Sequence, residues 1–152
     1  MWEAFQRYRA LDRESQRLFW RAAVLLPWIR MSLRLRGYNP TFAALQSRAA
    51  SRTESLDGAN EQVQKTSRMV RSAVHHSVLR FTCLEESLGL WYLLEKQGIC
   101  SRLRIGVRKD NGKFEAHAWV EYGGQAVNQP QATHLHYAAF EKEFSEPPAG
   151  LP

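Results

Sequence analysis

No apolar run in this sequence approaches the roughly 20 residues that a membrane-spanning helix needs. The most apolar stretch, Ala22 to Ile29, is closed by Arg21 on one side and Arg30 on the other, so no membrane span is expected. Cysteine is scarce as well. Cys83 and Cys100 are the two in the chain, too few for a disulfide framework; with no cleavable secretory signal in view, a reducing, cytoplasmic setting is expected. No C-x-x-C or H-E-x-x-H pattern occurs. His134 and His136 have the spacing of strand ligands, with His75, His76 or Cys100 as a further donor, but that is too little to expect a metal centre. A P-loop is missing, so no nucleotide cofactor is expected and any ATP chemistry belongs to another protein. Internal repeats, low-complexity tracts and named nucleic-acid motifs are absent too.

Positive charge is plentiful and unevenly placed. Residues 1–80 carry 14 Lys+Arg against 6 Asp+Glu, whereas residues 81–152 carry 7 against 9. Arginines at 7, 9, 13, 17, 21, 30, 34 and 36 make the first half a basic surface, suited to nucleic acid, an anionic membrane surface or an acidic protein, or simply solvated. The length matches a single domain, which at this size buries roughly 70% of its unfolded surface and needs no staples.

Apolar periodicity divides the chain into a helical half and a strand half. From Trp2 to about Leu35 apolar residues recur at helical spacing, with Pro27 expected to kink or divide the run. Gly37-Tyr38-Asn39-Pro40 is expected to end it. A helix over Thr41–Ala50 follows, then a small polar loop over 51–60 and a helix from about Glu61 to Arg80. Another helix runs from Cys83 to near Gly98. The period then changes to two. RLRIGVRK and KFEAHAWVEY read as strands joined by a hairpin at Asp110-Asn111-Gly112, and Gly123-Gly124 turns the chain into a third strand, QAVNQ. In the second strand Phe114, Ala116, Ala118, Val120 and Tyr122 share one face, and Glu115, His117, Trp119 and Glu121 the other. The expected fold is α+β: a basic helical region over 1–80 and a core with a small antiparallel sheet over 81–146, with 147–152 fraying, all in one compact domain.

The stretch TCLEESLGLW, residues 82–91, fits a capping box in which Thr82 is the N-cap and Glu85 reaches back. Cys83 then occupies the first helical position. Unpaired N–H groups and the positive end of the helix dipole face it there, a setting that favours a thiolate nucleophile and offers donors to an oxyanion. A buried, inert cysteine is the competing reading. His117, on a strand later in the chain, shifts the balance, because a cysteine at a helix start followed by a strand histidine and a polar residue on the next strand is an order that cysteine-histidine catalysis uses.

These residues resemble a family. CLEESLGLWYLLEKQGI, LRIGVRK, FEAHAWVEYGG and VNQP, in that order and with the match covering residues 83–128, look like the transglutaminase-like leader peptidases of lasso peptide biosynthesis in their stand-alone form. The resemblance implies a transglutaminase- or papain-like core, Cys83 as nucleophile and His117 as general base. It implies cleavage of a ribosomally made precursor between leader and core, with a separate leader-recognition protein and a macrolactam synthetase as partners and no cofactor.

At the third position the sequence departs from that family. Its Asn-Asp pair would put a carboxylate at position 129, and this chain has Asn128-Gln129. With a two-residue turn at Gly123-Gly124, Asn128 shares the face of His117; with a three-residue bulged loop, Gln129 does. Either amide oxygen accepts from an imidazole N–H, but neither brings the negative charge that stabilises imidazolium. Weaker catalysis than with Asp is expected, and the alternative is an inactive scaffold that holds a peptide or partner. Trp119, beside His117, is the candidate for a substrate-groove wall. Ser87, one turn beyond Cys83, is a second candidate contact, or else bonds the i−4 carbonyl.

Overall fold

The computed structural model describes residues 11–49, 58–129 and 138–139. Four helices precede an antiparallel sheet: α1 (Arg13–Arg36), α2 (Tyr38–Arg48), α3 (Ala59–His76) and α4 (Cys83–Lys96), then β1 (Arg102–Asp110), β2 (Lys113–Tyr122), β3 (Gln125–Ala126) and β4 (Ala138–Ala139). The sheet order is β3-β2-β1-β4. This is the expected α+β arrangement of helices, a cysteine-bearing helix and a small sheet.

Asp12 caps α1, its carboxylate accepting from the Ser15 amide at 3.3 Å and the Ser15 hydroxyl at 2.5 Å. Of the kink or division expected at Pro27, division does not occur: the helix runs unbroken through it. Leu26 and Ile29, on either side of that residue, are completely buried, and such packing outweighs one missing helical hydrogen bond. The part of the expected run before residue 11 lies outside the described residues. Gly37 alone makes the break, at φ 81°, a conformation open to glycine. Tyr38, Asn39 and Pro40 belong instead to the first turn of α2, where proline costs no hydrogen bond. There Thr41 Oγ1 donates to the Gly37 carbonyl at 2.7 Å and lies 2.8 Å from Ser32 Oγ, which ties α2 back to α1.

α3 stops at His76, four residues short of the expected Arg80. Ser77 leaves the helix in an extended conformation and the chain continues to Thr82 without regular structure. The loop expected over 51–60 is already helical from Ala59; residues 51–57 lie outside the described residues.

α4 is the centre of the fold. Leu88, Leu90 and Leu94 are completely buried, and they join Leu26, Ile29, Leu45, Val63, Val70, Leu103 and Val120 in one apolar cluster. Both halves of the chain thus feed a single core. Gly89 lets α1 come close: a Cβ there would sit 3.0 Å from Leu26 Cδ2.

The expected hairpin turn is present and has two residues, Asn111 (φ 49°) and Gly112 (φ 80°), with Asp110 paired to Lys113, both in the left-handed region that such turns require. Gly123 and Gly124 form a second, pairing Tyr122 with Gln125. In β2 the expected alternation holds only in part. Ala118 and Val120 are buried as expected, but Trp119 is buried as well, whereas Phe114 at the hairpin end is 76% exposed.

Candidate active site

The site begins with a helix start. Thr82 Oγ1 accepts from the Glu85 amide at 3.3 Å, and Glu85 Oε2 accepts from the Thr82 amide at 2.7 Å. The expected capping box is therefore formed. Arg30 of α1 lies 3.8 Å from the Glu85 carboxylate, donates to the Arg80 carbonyl and rests over the Phe81 ring. These contacts hold the start of α4 against α1. Cys83, a free thiol, sits half-buried at the first helical position.

One turn further on, Ser87 is completely buried. It does not take the i−4 carbonyl. Its hydroxyl donates to the carbonyl of Ala118 at 3.0 Å and accepts from Asn128 Nδ2 at 2.9 Å, so the turn that carries Cys83 is fastened to β2 at the residue next to His117.

The third strand is shorter than expected, and the reason decides between the two amides. Val127 N–H still donates to the Val120 carbonyl, at 2.9 Å. The Val127 carbonyl, however, is taken by Ser67 Oγ of α3 at 2.8 Å, and the Val120 N–H turns to Asn128 Oδ1 at 2.9 Å. A side chain has replaced the backbone in the ladder. Strand parity therefore lapses after Ala126: the turn has two residues, yet Asn128 does not join His117. Gln129 does, its Oε1 hydrogen-bonded to His117 Nε2. An amide oxygen only accepts, so Nε2 is the donor in this contact, and in the neutral ring Nδ1 then keeps the lone pair.

The imidazole stacks on Trp119, with centroids 6.1 Å apart and planes at 22°. Trp119 Nε1 donates to Glu121 Oε1 at 3.0 Å, and Arg104 Nε donates to Glu121 Oε2 at 3.0 Å. At 1% exposure Trp119 is packing behind the histidine rather than a wall open to substrate, and Ser87, at 0%, is likewise a clamp between elements. Both differ from the substrate contacts expected of them.

Sequence reasoning missed Glu86. It lies three residues after Cys83, the spacing that puts two side chains on one helix face, and that spacing was the available signal. Burial raises its carboxyl above the ordinary 4.5, while Arg71 of α3 and His117 pull it back down. A carboxyl group thus shares the electrostatic surroundings of the imidazole although position 129 has none. Among the described residues, no group of three or more His, Cys, Asp or Glu gathers as metal ligands would; His134 and His136 lie outside those residues. No described helix is long and apolar enough to cross a membrane.

A cysteine at the N-terminus of a core helix packed on an antiparallel sheet, with a histidine on the central pair of strands, defines a transglutaminase-like protein. Residues 22–142 match the family described as the transglutaminase-like superfamily, and the chain belongs to it. The microcin J25-processing protein McjB of Escherichia coli is 39% identical over 54 residues, which is 36% of this chain and 25% of that protein. The matching stretch is thus a quarter of that relative's length. No solved structure matches the chain.

Proposed function

We propose that this protein is a cysteine peptidase that removes the leader from a ribosomally made lasso peptide precursor, with Cys83 as nucleophile and His117 as general base. The observation that carries the reading is the fastening of Cys83's helical turn to His117's strand through Ser87 and Ala118, with the imidazole held in one tautomer by Gln129. The processing role in the printed name of the McjB relative supports the substrate class.

In the proposed reaction His117 Nδ1 takes the thiol proton as sulfur attacks the scissile carbonyl carbon, forming the C–S bond. The first helical N–H groups, those of Cys83 and Leu84, have no intrahelical partner by geometry, and they stabilise the oxyanion. Collapse of the tetrahedral intermediate breaks the C–N bond, the imidazolium protonates the leaving amine, and water then hydrolyses the thioester with His117 again as base. Gln129 orients the ring but supplies no charge. On this reading residues 81–146 are the catalytic core. A separate leader-recognition protein delivers the precursor, a macrolactam synthetase receives the core peptide, and the reaction takes place in the cytoplasm.

The second reading, a scaffold that binds peptide or partner without cutting, is favoured by the amide at position 129 alone. Incubating the protein with a lasso precursor and its recognition protein, and reading peptide masses, separates the two. Leader and core fragments from wild type but not from Cys83→Ala support the peptidase; intact precursor with both contradicts it.

A further inference from the structure

α1 is apolar on two opposite sides. Leu18, Ala22, Leu26 and Ile29 face the core. At about 100° per residue, Trp20, Val24, Trp28, Met31 and Leu35 fall in one row on the other side, and they are 58%, 71%, 39%, 57% and 76% exposed. Single exposed apolar residues need no explanation, but a continuous row does. The same row continues toward the helix start as Arg13 and Arg17. There, with Gln16, Trp20 and Arg21, they line an open depression of about 630 Å³. Arg48 of α2 borders the apolar end, its guanidinium 5.9 Å from the Trp28 ring centroid.

We propose that the outer face of α1 docks a partner protein, which lays along it an amphipathic segment that is acidic where it meets Arg13, Arg17 and Arg21 and apolar where it meets Val24 through Leu35. The inference does not depend on the peptidase reading. Charge decides against a second copy: a two-fold pairing of α1 centred on Trp28 leaves Arg13 and Arg17 beyond the contact, other registers set them on apolar residues or on arginines, and none offers them an acid. A lipid surface fits poorly as well. Helices that lie in a membrane interface keep their basic residues on the polar face, whereas Arg13 and Arg17 lie in line with the apolar row. Within the chain, residues 1–10 are themselves basic. Residues 140–146 hold three Glu and two Phe before Pro147-Pro148, but as a helix they would reach only about 10 Å, against about 33 Å from Arg13 to Leu35.

The test uses the full chain and a fluorescein-labelled synthetic helical peptide of about 22 residues, matched to the length of the face, with Glu on one face of its first half and Leu on that face of its second. A control peptide of the same composition has Glu and Leu interleaved. By fluorescence anisotropy the segregated peptide binds at least about tenfold more tightly than the control. Val24→Ser with Met31→Ser, or Arg13→Glu with Arg17→Glu, removes that difference without changing the thermal melting of the protein. Equal binding of the two peptides overturns the proposal, as does binding that ignores both pairs of substitutions. Phosphatidylserine vesicles or a dimer that depends on the same residues would overturn it in favour of a lipid or a second copy, and tighter peptide binding after deletion of residues 140–152 would do so in favour of that segment.

Discussion

Ser87 Oγ donates to the carbonyl of Ala118 at 3.0 Å and accepts from Asn128 Nδ2 at 2.9 Å. One completely buried hydroxyl thereby joins the helix of Cys83, the strand of His117 and the segment that carries Gln129. Ser87→Ala leaves the buried Ala118 carbonyl and the half-buried Asn128 amide without this partner, at a cost of about 1–3 kcal/mol. Chemical denaturation should show that loss. If the clamp also sets the site, residual activity at a temperature where the variant is folded falls through kcat rather than KM; a loss of stability with unaltered kcat would confine Ser87 to folding.

Gln129 fixes the imidazole but leaves it without a counter-charge. Gln129→Ala is expected to lower kcat by about tenfold or more with little change in KM, as for a residue that orients a catalytic base. Gln129→Glu keeps the reach of the side chain and adds the charge, so the rate near neutral pH should rise above wild type. Single-turnover cleavage measures both. Unchanged rates in the two variants would remove Gln129 from the account.

Glu86 gives a pH signature. Its folded carboxyl is held above the ordinary 4.5 by burial, so between the unfolded and folded values the native state binds more protons than the unfolded state. Stability therefore falls as pH rises through that window. The penalty is absent below the unfolded value and complete above the folded one. Glu86→Gln should remove this contribution, flattening the stability profile across the window and raising the melting temperature at neutral pH. Urea denaturation from pH 4 to pH 8 checks it; a variant whose profile parallels that of wild type speaks against a buried carboxylate.

The sequence was legible where local chemistry acts alone. The Thr82–Glu85 box, the turns at Asn111-Gly112 and Gly123-Gly124, and the order of cysteine helix and histidine strand each depend on a few neighbouring residues. It was illegible where distant contacts override a local rule. Pro27 marks a break that packing around Leu26 and Ile29 suppresses. Strand parity pointed to Asn128 for a two-residue turn, but Ser67 captures the Val127 carbonyl from another helix and ends the strand early, and that contact spans 60 residues of sequence. Trp119 reads as a groove wall from its face, yet it is buried, with the His117 ring stacked on it and its indole N–H donating to Glu121. β4 was not anticipated, since its two alanines carry no strand pattern of their own.

The central claim is that the sulfur of Cys83 and the imidazole of His117 act on one another. Alkylation by iodoacetamide tests it directly, followed at each cysteine by peptide mass spectrometry in wild type and His117→Ala, with the exposed Cys100 as internal reference. Removal of the imidazole is predicted to slow Cys83 by about tenfold or more while Cys100 keeps its rate. Equal slowing at both cysteines, or no slowing at Cys83, would contradict the account.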